Sequence, residues 1–187
     1  MVNIGVFIGS IRAGRAGEAI GHWVHEHASS RNDGHNYEII DLQDHDLPFL
    51  AADTVPAMAN GEYGDPKTQQ WAKVIAQYDG FVFVTPEYNG TVPGPMKNAF
   101  DQLGQEWQGK PIGFVGYGYS QAGKGATDTW RTVVSGMLAM QLADEDVNID
   151  LNTAYPEDAN GEFRASDAAK AGLDKILDQV TKAGANS

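Results

Sequence analysis

Apolar residues follow two alternating rhythms along the chain. Apolar segments occur at 2–8, 81–84 and 111–115, the one at 81–84 an unbroken run of β-preferring residues. Such runs mark strands buried on both faces, as in a parallel sheet. Between them the spacing becomes helical. Ile20, Trp23, Val24 and His27 form one stripe, and Trp71, Val74, Ile75 and Tyr78 another. The strongest periodicity, Trp130, Val133, Val134, Met137, Leu138, Gln141 and Leu142, predicts a helix over that span. Residues 37–40 read as a second strand, and alternating Val147, Ile149 and Leu151 as a half-exposed edge strand. Residues 51–65, with Pro56, Gly61 and Gly64, read as a surface loop or lid. A last helix carries Leu173, Ile176, Leu177 and Val180, then frays into Gly184-Ala-Asn-Ser. Five strands alternating with five helices, without repeat or linker, predict one doubly wound α/β domain over residues 1–187.

The stretch from Gly80 to Lys97 organises the rest. Its strand stops at Thr85-Pro86, and Glu87, Tyr88 and Asn89 crowd together before Gly90. Pro95 suits the first turn of a new helix through Met96 and Phe100 to about Leu103. Asn-Gly between apolar residues also signals a β-hairpin. The returning strand would be only Thr91-Val92 before two prolines, so a strand–loop–helix unit is the better reading. Open α/β sheets bind ligands at such loops.

Two more loops belong with it. Residues 9–17 place Ser10, Arg12 and Arg15 among glycines ahead of a helix, a setting that suits an anion. They nearly match a P-loop, but Arg15 replaces its lysine and Ala16 cannot hold Mg²⁺, so nucleotide hydrolysis is not expected. No G-x-G-x-x-G is present. Residues 116–125 are rich in glycine and carry Tyr117 and Tyr119. With sheet order 2-1-3-4-5 the three loops meet at one crevice. A phosphate group at one end, and glycines and tyrosine faces at the other, suit a phosphorylated planar heterocycle such as flavin mononucleotide (FMN).

Composition narrows the chemistry. The chain has no cysteine, so redox chemistry requires a bound cofactor. A formal charge of −12 opposes nucleic acid and anionic membranes as partners. The absence of a long apolar run, and a start without a basic leader, predict a cytoplasmic location. A metal site is not expected. His22, His25 and His27 share one helix of ordinary core type, and the EF-hand-like spacing from Asp146 to Glu157 has Leu151 where glycine is needed.

Gly9-Ser10-x-Arg12-x-x-Arg15-x-Gly17, together with Thr85-Pro86-Glu87-Tyr88-Asn89-Gly90-Thr91-x-Pro93-Gly94-x-x-Lys97-Asn98-Ala99-x-Asp101, resembles the NADPH-dependent FMN reductases. That family includes quinone, chromate and azo-dye reductases. The resemblance implies a flavodoxin-like three-layer fold. It places FMN phosphate at Ser10, Arg12, Arg15, Ala16 and Gly17, and the flavin ring at Pro86, Glu87, Tyr88, Asn89 and Gly90, with Gly118 nearby. It also implies hydride transfer from NADPH or NADH to flavin N5, then reduction of a quinone, free flavin, azo dye or metal oxyanion at the same site. No side chain is assigned acid–base catalysis. A homodimer or homotetramer is implied, with apolar residues of the helix after Pro93 and aromatics near Trp107 as contact candidates. The alternative is a flavodoxin-type electron carrier without turnover of its own, against which Arg12 and Arg15 argue.

Overall fold

A computed structural model describes residues 1–185, so Asn186 and Ser187 of the expected frayed end lie outside the described residues. Strands β1 (Asn3–Ile8), β2 (Asn36–Asp41), β3 (Gly80–Pro86) and β4 (Pro111–Gly118) form a parallel sheet in the order β2-β1-β3-β4. Two short strands, β5 (Gln141–Leu142) and β6 (Val147–Asp150), share the far side of β4. The flavodoxin-like order 2-1-3-4-5 is therefore present, its last position divided between two strands.

Helices α1 (Ala16–Ser30), α2 (Pro66–Ile75), α3 (Gly94–Asp101), α4 (Lys124–Val134) and α5 (Asp167–Gly184) cover the sheet. Every residue of β3 and β4 is buried, as their uninterrupted apolar runs require. Alternation along the strands nevertheless separates two cores. Ile4, Val6, Val82, Val84 and Val115 meet α1 and α5 in an aliphatic layer. Phe7, Phe81, Phe83 and Phe114 meet α2, α3 and α4 in an aromatic one. Here Phe7 and Phe83 lie edge to face at 5.0 Å, and Phe100 stacks on Trp107 at 5.1 Å. The buried indole N–H groups all find acceptors: Trp71 the Ala99 carbonyl, Trp107 the Phe100 carbonyl, Trp130 the Thr85 hydroxyl.

Three expectations need correction. The helix beginning at Lys124 ends at Val134, not near Leu142. Gly136 weakens helix continuation, and Gln141 and Ala143 instead donate to the Lys110 and Ile112 carbonyls on the open side of β4. Leu151 lies just past β6, although its N–H still reaches the Gly118 carbonyl at 3.0 Å. The contact candidates on α3 and at Trp107 belong to the chain's own core: Met96, Ala99 and Trp107 are fully buried.

The 51–65 segment runs along the flank of the molecule. Asn98 and Gln102 of α3 and its end both donate to the Pro48 carbonyl, and the Tyr63 hydroxyl donates to the buried Glu106 carboxylate. Asp65 caps α2 by accepting from the N–H groups of Lys67 and Thr68, with Pro66 at the first helical position. Exposed Phe49, Val55 and Met58 lie on or beside this segment.

Trp107→Ala should lower the unfolding free energy by ~3–5 kcal/mol, the usual result of emptying a buried indole site. Urea denaturation should give the same loss at every protein concentration. A loss that shrinks as the protein is diluted would return Trp107 to an intermolecular contact.

Candidate functional site

In-register pairing sets the site. Ile8 pairs with Val84, Thr85 with Gly116, and Pro86 with Tyr117, so the loops after β1, β3 and β4 leave the sheet side by side. Gly9 extends the ladder by donating to the Val84 carbonyl at 3.0 Å.

In the first loop Ser10 is buried, and its hydroxyl lies 2.8 Å from that of Tyr88 on the second loop. Arg12 is exposed, with its guanidinium carbon 6.0 Å from the centre of the Tyr88 ring. Arg15 behaves differently. Its side chain is only 6% exposed and forms a two-pronged ion pair with Asp41, at the end of β2. It also donates to the Ser10 carbonyl at 2.6 Å. The hydrogen bond to Asp41 holds the guanidinium pKa above its ordinary value. Arg15 thus straps the loop to β2 while Arg12 carries the accessible charge. Arg15 is also the N-cap of α1 and makes no side-chain cap bond, which leaves the first-turn amides from Ala16 and Gly17 onward without a side-chain acceptor.

The second loop is tied to both neighbours. Glu87 donates its N–H to the Tyr117 carbonyl, and its carboxylate accepts from the Gly125 N–H at 2.8 Å in the first turn of α4. Tyr88 and Thr91 exchange backbone hydrogen bonds of 3.0 and 3.1 Å around Asn89 and Gly90, both at positive φ. The hairpin signal is therefore real as a turn. It yields one bridge only, and the chain then enters α3.

Glycine lets the second and third loops touch. A Cβ on Gly125 would stand 2.3 Å from the Gly90 carbonyl oxygen, and one on Gly123 2.1 Å from the Tyr117 nitrogen. A Cβ on Gly118 would lie 3.3 Å from that of Glu87. Of the tyrosines expected as flat surfaces, Tyr119 is exposed and Tyr88 half-buried, but Tyr117 is buried against α1. Its hydroxyl has no hydrogen-bond partner among the described residues. Burial and the neighbouring Tyr88 raise its pKa, and the Ser10 hydroxyl and the Arg15 charge oppose the rise. Ser10 is close enough to influence it but is paired with Tyr88 and outside hydrogen-bond geometry to Tyr117. Lys124 pairs with Asp128 one turn along α4.

Ser10, Arg12, Ala16, Gly17, Pro86, Glu87, Tyr88, Asn89, Gly90 and Gly118 thus gather at one end of the sheet, while the Arg15 guanidinium faces Asp41. Asp41 and the Tyr117 hydroxyl belong to the site's construction, and no sequence motif marks either of them. A cavity of about 570 Å³ lies elsewhere, on the flank between the 48–66 segment and Gln102. Among the described residues no group of His, Asp or Glu is arranged to hold a metal, and no helix is long and apolar enough to cross a membrane.

Residues 2–154 match the family model of the NADPH-dependent FMN reductases. The chain belongs to that family. Membership makes it an oxidoreductase that works with FMN and takes electrons from NAD(P)H. It is 33% identical to an NAD(P)H-dependent FMN reductase of Nectria sp., with 96% of each chain aligned. It is 44% identical to a quinone reductase of Escherichia coli over 72 residues, 36% of each chain. The fold matches that of FerB, an NAD(P)H:(acceptor) oxidoreductase from Paracoccus denitrificans, with a TM-score of 0.75 at 21% identity, covering 97% and 98% of the two chains.

Asp41→Ala should destabilise the protein by ~3–5 kcal/mol, because it leaves the charge of Arg15 buried without its counter-ion. Adding Arg15→Ala should recover part of that loss in chemical denaturation. A loss in the double variant equal to the sum of the two single losses would show that the pair contributes no coupling.

Proposed function

We propose that this FMN-dependent NAD(P)H oxidoreductase reduces a small-molecule acceptor of quinone type, with donor and acceptor using one site in turn. The observation that carries this reading is the joining of the three loops, Ser10 to Tyr88 and Glu87 to Gly125, around an uncapped helix start and a glycine-lined wall. The residues present fit FMN. Uncapped amides of α1, the Ser10 hydroxyl and the accessible charge of Arg12 suit its phosphate. Residues 86–90 and Gly118 suit its ring, since glycine admits close backbone approach. Arg15 acts by holding the loop in shape rather than by direct contact.

When bound, FMN supplies the chemistry: it takes a hydride from NAD(P)H and returns two electrons to the acceptor. The chain positions and shields. Glu87, held at the start of α4, fixes the second loop beside the third, and the Asn89-Gly90 turn presents backbone at the ring edge. With the phosphate end closed by Ser10 and Arg12, a single open face serves both substrates. Quinone is favoured as acceptor by the likeness to the Escherichia coli quinone reductase. Free flavin, azo dyes and metal oxyanions rest on the family resemblance alone. A cytoplasmic, single-domain enzyme over residues 1–187 completes the proposal. So does a homodimer or homotetramer whose contact, corrected from the sequence reading, includes Phe49, Val55 and Met58.

The protein should purify yellow with about one FMN per chain, and NADPH or NADH should bleach it. With a small quinone, steady-state plots should give parallel lines, and Asn89→Ala should slow both half-reactions. Intersecting lines would establish a ternary complex and refute a shared site. Bound flavin that NAD(P)H reduces without turnover on any acceptor would favour an electron carrier.

Arg12→Ala should weaken FMN binding roughly ten- to a hundredfold, as expected for a charge-assisted hydrogen bond, and leave riboflavin binding nearly unchanged. Fluorescence titration with both flavins measures this; equal losses would place Arg12 away from the phosphate. Sedimentation should show a species larger than the 20.1 kDa chain, and Met58→Asp should shift it toward monomer.

A further inference from the structure

Tyr117 is the one polar side chain of β4, near its end, and it points into the aliphatic layer shared with α1. The other β4 positions on that face are Pro111, Gly113 and Val115, so a hydroxyl there is out of keeping with its surroundings. The residue is 4% exposed, and its hydroxyl oxygen is unpartnered among the described residues. Burying a hydroxyl without a partner costs free energy that phenylalanine at the same position would avoid.

Its surroundings show what partner would suit it. The hydroxyl lies under the first turn of α1, where a Cβ added to Gly17 would stand 2.3 Å from it and 3.6 Å from the Ser10 Cβ. Only glycine at position 17 permits that approach. The neighbouring groups include donors: the first-turn amides of α1, which no side chain caps, and the Ser10 hydroxyl, which can donate as well as accept. The carboxylate closest in role, Asp41, is already taken by Arg15. A convergence of donors at a helix start suits one tetrahedral oxyanion.

We propose that the Tyr117 hydroxyl is a specificity-determining group that recognises the phosphate of the bound flavin nucleotide, reaching it beside Gly17. This rests on the reading of the site as an FMN site, and it deepens that reading by assigning selectivity for the phosphorylated flavin to a residue of the sheet. Arg12 supplies charge from the exposed side, and Tyr117 supplies a neutral donor from the buried side.

The test is Tyr117→Phe, which removes one oxygen atom and keeps the ring. Flavin-free variant and parent are compared by thermal melting, and each is titrated with FMN and with riboflavin. The variant should melt at the same temperature as the parent or higher, bind FMN about tenfold more weakly (~1.4 kcal/mol), and bind riboflavin as the parent does. Unchanged FMN affinity, or equal losses for both flavins, would overturn the assignment. So would a clearly lower melting temperature without flavin, which would show that the hydroxyl has a structural partner in the protein. Gly17→Ala gives a second measure. It should weaken FMN binding more in the Tyr117 background than in Tyr117→Phe, where the hydroxyl it collides with is gone; equal effects would count against the proposal. A parent protein that binds neither flavin would instead refute the FMN site itself.

Discussion

Everything at the candidate site depends on one constraint, the parallel register of β1, β3 and β4. These strands are buried from both sides, so their backbone groups must pair with one another along the whole ladder. Pairing of Ile8 with Val84 and of Pro86 with Tyr117 then fixes where three separate loops begin. The loops need little cohesion of their own. Two hydrogen bonds, Ser10 to Tyr88 and Glu87 to Gly125, suffice to join them because the sheet has already set their spacing.

The core reaches into this arrangement through Thr85. Its hydroxyl accepts from the Trp130 indole and donates to the Pro86 carbonyl, both from a fully buried position. The aromatic layer is thereby connected to the start of the second loop. On the opposite layer Tyr117 connects the third strand of the crevice to α1. The site is thus supported from both faces of the sheet, and its exposed members, Arg12, Asn89 and Gly90, are attached to a rigid base.

How much of this is legible in the sequence follows from physical range. The buried strands are legible because their apolar runs are too short for a helix, are bounded by glycine and proline, and are rich in β-branched and aromatic residues, which together favour a strand covered on both faces. The loops are legible because the same glycines and prolines punctuate them, and the family motifs single out residues that the fold gathers at one end of the sheet. Features that depend on distant partners are not legible. Arg15 reads as a phosphate ligand in the sequence, yet Asp41, 26 residues away, holds its guanidinium. The spacing after Val134 continues a helical pattern, but the open side of β4 draws Gln141 and Ala143 into pairing. Trp107 reads as a contact residue because sequence cannot distinguish an aromatic covered by its own chain from one covered by another.

The division of the last strand position has a consequence for the protein's behaviour in concentrated solution. A sheet that ends in a long, flat strand offers a template on which other chains can add. Here that boundary consists of strands of two and four residues, separated by Ala143, Asp144, Glu145 and Asp146. The interruption is fastened down. Gln179 accepts from the Asp144 N–H, Arg131 holds Asp146 and the Ala143 carbonyl, and Lys175 pairs with Glu145. An incoming strand would meet a break in the ladder, backbone groups already engaged, and three carboxylates. The same few residues that finish the fold on this side therefore also protect this edge of the sheet, opposite β2, from edge-to-edge pairing.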